Sequence, residues 1–192
     1  MTDQILEIDR YILLFINGLG RENPALDTIM NALSSKWSAI PLYIYSLATF
    51  WKYHRANSLG WLAISTVSLV LLTDQGSVSL FKEIFQRLRP CHEPDLAFLL
   101  RLFQEKCGGQ YGFVSSHSAN TAGISAFIAF SLINNTKWFF TLFMWWTLVG
   151  FSRIYLGVHY PSDVVIGGIY GLLIGFSVSK IYRFAVLTDY KQ

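Results

Sequence analysis

Charge is what this chain has least of. Asp, Glu, Lys and Arg make up 14% of its 192 residues while hydrophobic residues make up 53%, where a soluble domain carries roughly 25% charged residues. That leaves too little polar side chain to cover a water-exposed globule, and the mean hydropathy of +0.39 points the same way. Cysteine is nearly absent, and 2 residues cannot build the framework of a disulfide-rich secreted domain. Proline is sparse at 5 residues, and the 14 glycines follow no three-residue period, which excludes a collagen-like chain. The apolar content excludes a disordered one. A net charge of +3 without a basic stripe leaves no reason to expect a nucleic-acid partner.

What the chain does have is long apolar runs. Five approach the roughly 20 residues needed to cross about 30 Å of hydrocarbon: 25–51, 59 to just before Pro90, 118–133, 138–155 and 164–181. Lys36, inside the first, must snorkel or face the bundle. Residues 5–19 are apolar but short and carry Glu7, Asp9 and Arg10 near their start. They read as an interfacial helix within an N-terminal segment 1–24, or as a shallow sixth span. No cleavable signal is expected, because this segment lacks a basic leader and a small-residue cleavage site. The expected fold is one all-α unit, 1–192, an integral-membrane helical bundle. Gly167, Gly171 and Gly175 recur every four residues, giving the last span a smooth face for close helix packing. Lys52, His54, Arg55, Lys137, Lys180, Arg183 and Lys191 fall on one side, which the positive-inside rule makes cytoplasmic. The loop 90–114 and the turn 157–161 then lie on the other side.

The chemically capable residues gather at that outer end. In KEIFQRLRP, Lys82 and Arg89 stand seven apart, which on a continuous helix puts both cations on one face, with Pro90 as the stop. A snorkelling basic belt is the plainer alternative. The run Ser115-Ser116-His117-Ser118 opens the third span, where unpaired backbone N–H groups and hydroxyls suit an anion. Helix capping with an interfacial His is the alternative there. The fourth span leaves as SRIYLGVHYPSD, supplying Arg153, His159 and Asp163. If Pro161 starts the fifth helix, Asp163 sits in its first turn and can orient one imidazole nitrogen of His159, freeing the other to attack. Alone, such a pair is often structural. Together, three cations, two His and one Asp suit a phosphoryl group: cations offset its charge, one His attacks, the other protonates the leaving oxygen. A divalent metal fits poorly where three cations face a single carboxylate.

In these motifs the sequence resembles the type 2 phosphatidic acid phosphatase superfamily. K-x6-R-P is matched by Lys82 to Pro90, and S-R-x5-H-x3-D by Ser152 to Asp163. P-S-G-H keeps Ser115 and His117, with Val114 and Ser116 in place of its Pro and Gly. The motifs cover 82–163. The resemblance implies that His159 is a nucleophile forming a phosphohistidine, that Asp163 orients it, and that His117 is the general acid and later base. It implies that Lys82, Arg89 and Arg153 hold the phosphate oxygens, helped by Ser115 and Ser116, with Arg87 and Ser152 in support and with no cofactor or metal.

Cys91 and Cys107 bracket the start of the outer loop on the side where disulfides persist. A bridge is one expectation and two free thiols the other. His92, Glu93, Asp95, Arg101, Glu105 and Lys106 give that loop a solvated lid surface. The expected protein is a multi-pass enzyme of the bacterial inner membrane, its site facing the periplasm or exterior, its partners the bilayer and a membrane lipid phosphate. Undecaprenyl pyrophosphate comes first as substrate; phosphatidic acid, phosphatidylglycerol phosphate and lipid A are alternatives. A catalytically silent lipid-phosphate-binding protein is the alternative outside enzymes.

Overall fold

The computed structural model describes residues 3–20, 23–41, 44, 47–48, 51, 58–103, 107–131 and 136–189. Its named helices are α1 Asp3–Gly18, α2 Pro24–Ser34, α3 Leu59–Phe85, α4 Ser116–Ser131, α5 Thr136–Tyr155 and α6 Pro161–Asp189. Among the described residues there is no strand, only one antiparallel bridge between Leu88 and Tyr111. Helices alone suit a bilayer, because each satisfies its own backbone groups.

The core is α4, whose Ala119, Ala122, Gly123, Ile124, Ala126, Phe127 and Ile128 are buried. It lies against α6 at close range. A Cβ at Gly171 would strike the Ala119 backbone, one at Gly175 the Gly123 backbone, and one at Gly167 would stand 2.7 Å from the Ser115 carbonyl oxygen. The glycine stripe thus lets two backbones meet, and it fixes the N-terminal end of α4 beside the start of α6. Among the described residues two helices, Leu59–Phe85 and Pro161–Val186, are long and apolar enough to cross a membrane. Ile64, Val67 and Leu71 on α3 and Val165, Ile169 and Leu173 on α6 are exposed, an outward apolar surface fit for lipid.

Three expectations change. The run 25–51 is not one helix: α2 ends at Ser34, Ser35 is extended (φ −71°, ψ 145°), and its hydroxyl accepts from the Trp37 N–H at 3.2 Å to start a short 3-10 turn, Lys36–Ala39. A hydroxyl bonded to nearby backbone competes with helix in this way. Nor does helix run to Pro90. It widens into a π turn at Val78–Lys82 and stops at Phe85, with Gln86 left-handed at φ 44°. Arg87 to Arg89 then run extended, held by Arg89 N–H to Gln110 C=O (3.0 Å) and Gly112 N–H to Arg87 C=O (2.9 Å). Arg89, at ψ 153°, takes the conformation a following proline favours. Lys82 and Arg89 therefore do not share a helical face.

The outer loop, third, is packed rather than simply solvated. Leu96 is buried with Leu13, Ile154, Tyr160 and Val164. Arg101 makes a two-pronged ion pair with Asp27 of α2 (2.6 and 2.7 Å), and Asn17 of α1 brackets it, accepting from its N–H and donating to its C=O, both at 2.9 Å. Cys91 and Cys107 are joined as a disulfide, Cα–Cα 6.0 Å. Lys52, His54, Arg55, Glu105, Lys106, Lys191, the start of the turn after α4 and the side chains of Lys36 and Lys137 lie outside the described residues.

Candidate active site

A cavity of about 520 Å³ opens at the end of the bundle where α3 stops and α4 and α6 start. Lys82, Arg89, Ser116, His117, Arg153 and His159 all line it. They arrive from four segments: the π turn of α3, the extended segment after it, the first turn of α4, and the end of α5 with the turn beyond.

The cations keep donors to spare. Lys82 Nζ donates to Ser116 Oγ at 2.7 Å. Among the described residues Arg89 reaches only the Cys107 carbonyl oxygen, at 3.4 Å, and its Nε is buried without a partner. Arg153 donates from one terminal nitrogen to Ser34 Oγ, and its Nε is likewise buried and unpartnered. Burial pulls Arg89 below the ordinary guanidinium value, with the Asp163 carboxylate opposing. Such a group calls for an anion.

His159 is 1% exposed and Asp163 is fully buried. Nδ1 of His159 stands 3.4 Å from Asp163 Oδ2. Asp163 lies in the first turn of α6, and its Oδ2 accepts from the Tyr160 N–H at 3.0 Å, the reciprocal half of a capping box. Burial, then the charges of Arg89, Arg153 and Lys82, hold His159 well below the usual imidazole range. Its ring is neutral at physiological pH, with one nitrogen turned to a carboxylate and the other to a cationic cavity.

Behind Asp163 lies a buried network that the sequence hid. Arg87 donates to Asp163 Oδ1 at 2.9 Å, to Ser162 Oγ at 2.7 Å and to Asp9 Oδ2 at 2.8 Å. Asp9, from α1, also accepts from Ser162 N–H at 2.9 Å and from its hydroxyl at 2.5 Å. The guanidinium stacks 3.9 Å from the Tyr160 ring centroid. One signal in the sequence does mark Asp9: with Leu13 and Asn17 it forms an i, i+4, i+8 stripe, and all three are buried.

Ser115 and Ser152 stand apart from the other expected residues. Ser115 is fully buried, its Oγ 3.4 Å from the Ser118 N–H as a helix cap, and its own N–H donates to the Asp163 carbonyl at 3.0 Å. Ser152 Oγ donates to the Val149 carbonyl of its own helix at 2.7 Å. Neither lines the cavity. Asp74 and Asn120, which no motif flagged, do line it, and Asn120 Nδ2 donates to Asp74 Oδ1 at 3.2 Å. Among the described residues one further set has metal-ligand types close together, Cys91, His92 and Cys107. Its two sulfurs are bonded to each other.

Comparison with known proteins gives the following. The family model described as "PAP2 superfamily" matches residues 60–186. The chain is 34% identical over 184 residues, covering 95% of itself and 76% of the relative, to the lipid A 4'-phosphatase of Porphyromonas gingivalis. It is 30% identical over 174 residues, covering 89% and 75%, to the lipid A 4'-phosphatase of Bacteroides thetaiotaomicron. In fold it resembles the transmembrane PAP2 type phosphatidylglycerolphosphate phosphatase from Bacillus subtilis, with TM-score 0.69 and 23% identity over 95% of this chain and 88% of the other.

Proposed function

The chain belongs to the PAP2 superfamily and is a membrane lipid phosphatase, and from that premise we propose that it removes a phosphate from a lipid A type glycolipid through a phosphohistidine at His159. The observation that carries the mechanism is the cavity in which Lys82, Arg89 and Arg153 converge beside an imidazole backed by Asp163. Cations with unspent donors bind the phosphate oxygens and hold the phosphorus in line with the free imidazole nitrogen. The first-turn N–H groups of α4 at Ser116 and His117 point the same way, since a helix leaves its first donors unbonded.

In the first step the free nitrogen of His159 forms a bond to phosphorus while the bond from phosphorus to the lipid oxygen breaks. His117 delivers a proton to that oxygen, and the alcohol departs. Asp163 stabilises the positive charge that develops on the phosphorylated ring. In the second step neutral His117 takes a proton from water, whose oxygen bonds to phosphorus as the N–P bond breaks. Inorganic phosphate leaves and both histidines return to their first state. Negative charge on the bound phosphate favours the imidazolium form of His117 that the first step needs. No step calls on a metal: three cations already offset the phosphate charge, and the Asp163 carboxylate is held by Arg87.

The substrate reading follows the two relatives named lipid A 4'-phosphatase, which the chain matches over nearly its whole length. Undecaprenyl pyrophosphate, placed first on sequence grounds, falls behind it, because neither of those relatives is a diphosphatase by name. The site faces away from the cytoplasm in this reading, supported by Lys180 and Arg183 towards the far end of α6.

Phosphate release by detergent-purified protein in excess EDTA tests this, with a glucosamine-based lipid 4'-phosphate, phosphatidic acid and farnesyl pyrophosphate compared. The glycolipid is expected to be turned over best, chelator to have no effect, and His159→Ala to be inactive. Spheroplasts should cleave substrate added from outside. Loss of activity on chelation would sink the metal-free mechanism, and preference for the pyrophosphate would restore the carrier-lipid reading.

A further inference from the structure

We propose that Asp74 and Asn120 form a hydrogen-bond-accepting subsite that reads hydroxyl or amide N–H groups on the headgroup next to the phosphate. The inference rests on the glycolipid reading above and deepens it by assigning the residues that would recognise the sugar. Asp74 is the one acidic or basic residue of α3 between Leu59 and Lys82. An ionisable group placed in an apolar span is costly and calls for a role. It lies eight residues before Lys82, about 12 Å further into the bundle at 1.5 Å per residue. Asn120 lies three residues past His117 on α4, one turn inward from the same end. The two side chains meet at 3.2 Å, both line the cavity, and Asn120 Oδ1 is buried without a partner.

Further in, the lining turns apolar with Val70, one turn below Asp74, and Ile124, one turn below Asn120. The cavity therefore grades from cations, through carbonyl and carboxylate oxygens, to hydrocarbon. A lipid whose phosphate enters the cationic end presents its next group to the acceptors and its acyl chains to the apolar end. A sugar supplies hydroxyl and amide donors at that depth. Phosphatidic acid and a prenyl chain supply none. A diphosphate would bring its second phosphate towards the Asp74 carboxylate, and like charges repel. Charge balance for Lys82 does not by itself account for Asp74, since the Lys82 ammonium is bonded to Ser116 and Asn120 is drawn into the same contact.

The test is kcat/KM for the glucosamine-based lipid 4'-phosphate against phosphatidic acid, in the parent protein and in Asp74→Ala and Asn120→Ala. Loss of a hydrogen bond to a charged acceptor predicts that the ratio of glycolipid to phosphatidic acid falls about 10- to 100-fold in Asp74→Ala, and by less in Asn120→Ala. Asp74→Asn, which keeps the shape and is the safer variant for folding, should raise farnesyl pyrophosphate relative to phosphatidic acid. Unchanged ratios in folded variants, with both substrates slowed alike, would mean that Asp74 serves only as a counter-ion and would overturn the inference alone. A parent protein that cleaves phosphatidic acid and leaves the glycolipid untouched would remove the substrate reading and this inference together.

Discussion

Asp163 divides its two oxygens between two tasks: Oδ2 faces His159 and the Tyr160 N–H, and Oδ1 takes Arg87. His159 in turn sits among cations that make its protonation unfavourable. The sign is fixed by the first causes: burial and positive neighbours both disfavour imidazolium, so the ring stays unprotonated well below the ordinary value of about 6.5. A histidine-resolved NMR titration in detergent should show His159 still neutral at a pH where an ordinary imidazole is protonated. In Arg89→Gln, one repulsive charge is gone and the midpoint should move upward. A parent His159 that titrates near its ordinary value would contradict this electrostatic account. The cations, both cavity-lining histidines and Asp163 were legible in the sequence because their spacing survives as linear motifs. Asp9, Asp74 and Asn120 were not, since each acquires its meaning from a partner on another helix: Arg87 for Asp9, and each other for the remaining two. The Ser115 hydroxyl, expected to help hold phosphate, sits as the cap of α4 and off the cavity lining, and capping was the other reading that the Ser-Ser-His-Ser run allowed.

At the level of elements, α1 is more than an apolar N-terminal segment. Its Asp9 anchors Arg87, and its Asn17 brackets the outer loop at Arg101 while donating to the Tyr155 carbonyl at 2.8 Å. Asp9 and Arg87 side chains are 4% and 12% exposed, and without the Asp9 charge Arg87 keeps its pair with Asp163 but loses the other. Asp9→Asn should cost about 1–3 kcal/mol of stability, the usual range for losing a hydrogen bond to a charged group. Thermal unfolding in detergent reads it, and kcat should fall with it as Asp163 loses its brace. A variant as stable and active as the parent would show that α1 merely packs. The glycine stripe of α6 was readable beforehand because Gly167, Gly171 and Gly175 share one face whatever they pack against. The end of α3 was not. Lys82 and Arg89 suggest a continuous helical face by spacing alone, but Gln86 takes a left-handed conformation and the chain leaves to pair with Tyr111. The pairing depends on residues more than twenty positions away, which no local pattern records. The break at Ser35 is more local, a hydroxyl capturing the Trp37 N–H, yet it is masked in sequence by the apolar residues on both sides.

As a whole, the molecule is a bundle with chemistry at one end. Close packing of α4 on α6 brings the Ser116–His117 turn against the His159–Asp163 turn, and the extended segment after α3 brings Arg89 to the same cavity. Apolar faces of α3 and α6 are left outward for lipid, and the cavity runs from cations to hydrocarbon in the order phosphate, headgroup and acyl chain of an embedded lipid. The central claim is that this arrangement makes His159 the atom donor of a covalent intermediate. The most direct measurement is to mix the parent protein with radiophosphate-labelled lipid substrate, quench in base within the first turnover, and map the label by peptide. The account predicts base-stable, acid-labile label on the peptide that contains His159, and none in His159→Ala. Phosphate release from the parent protein with no label ever found at His159, or release that persists in His159→Ala, would contradict it.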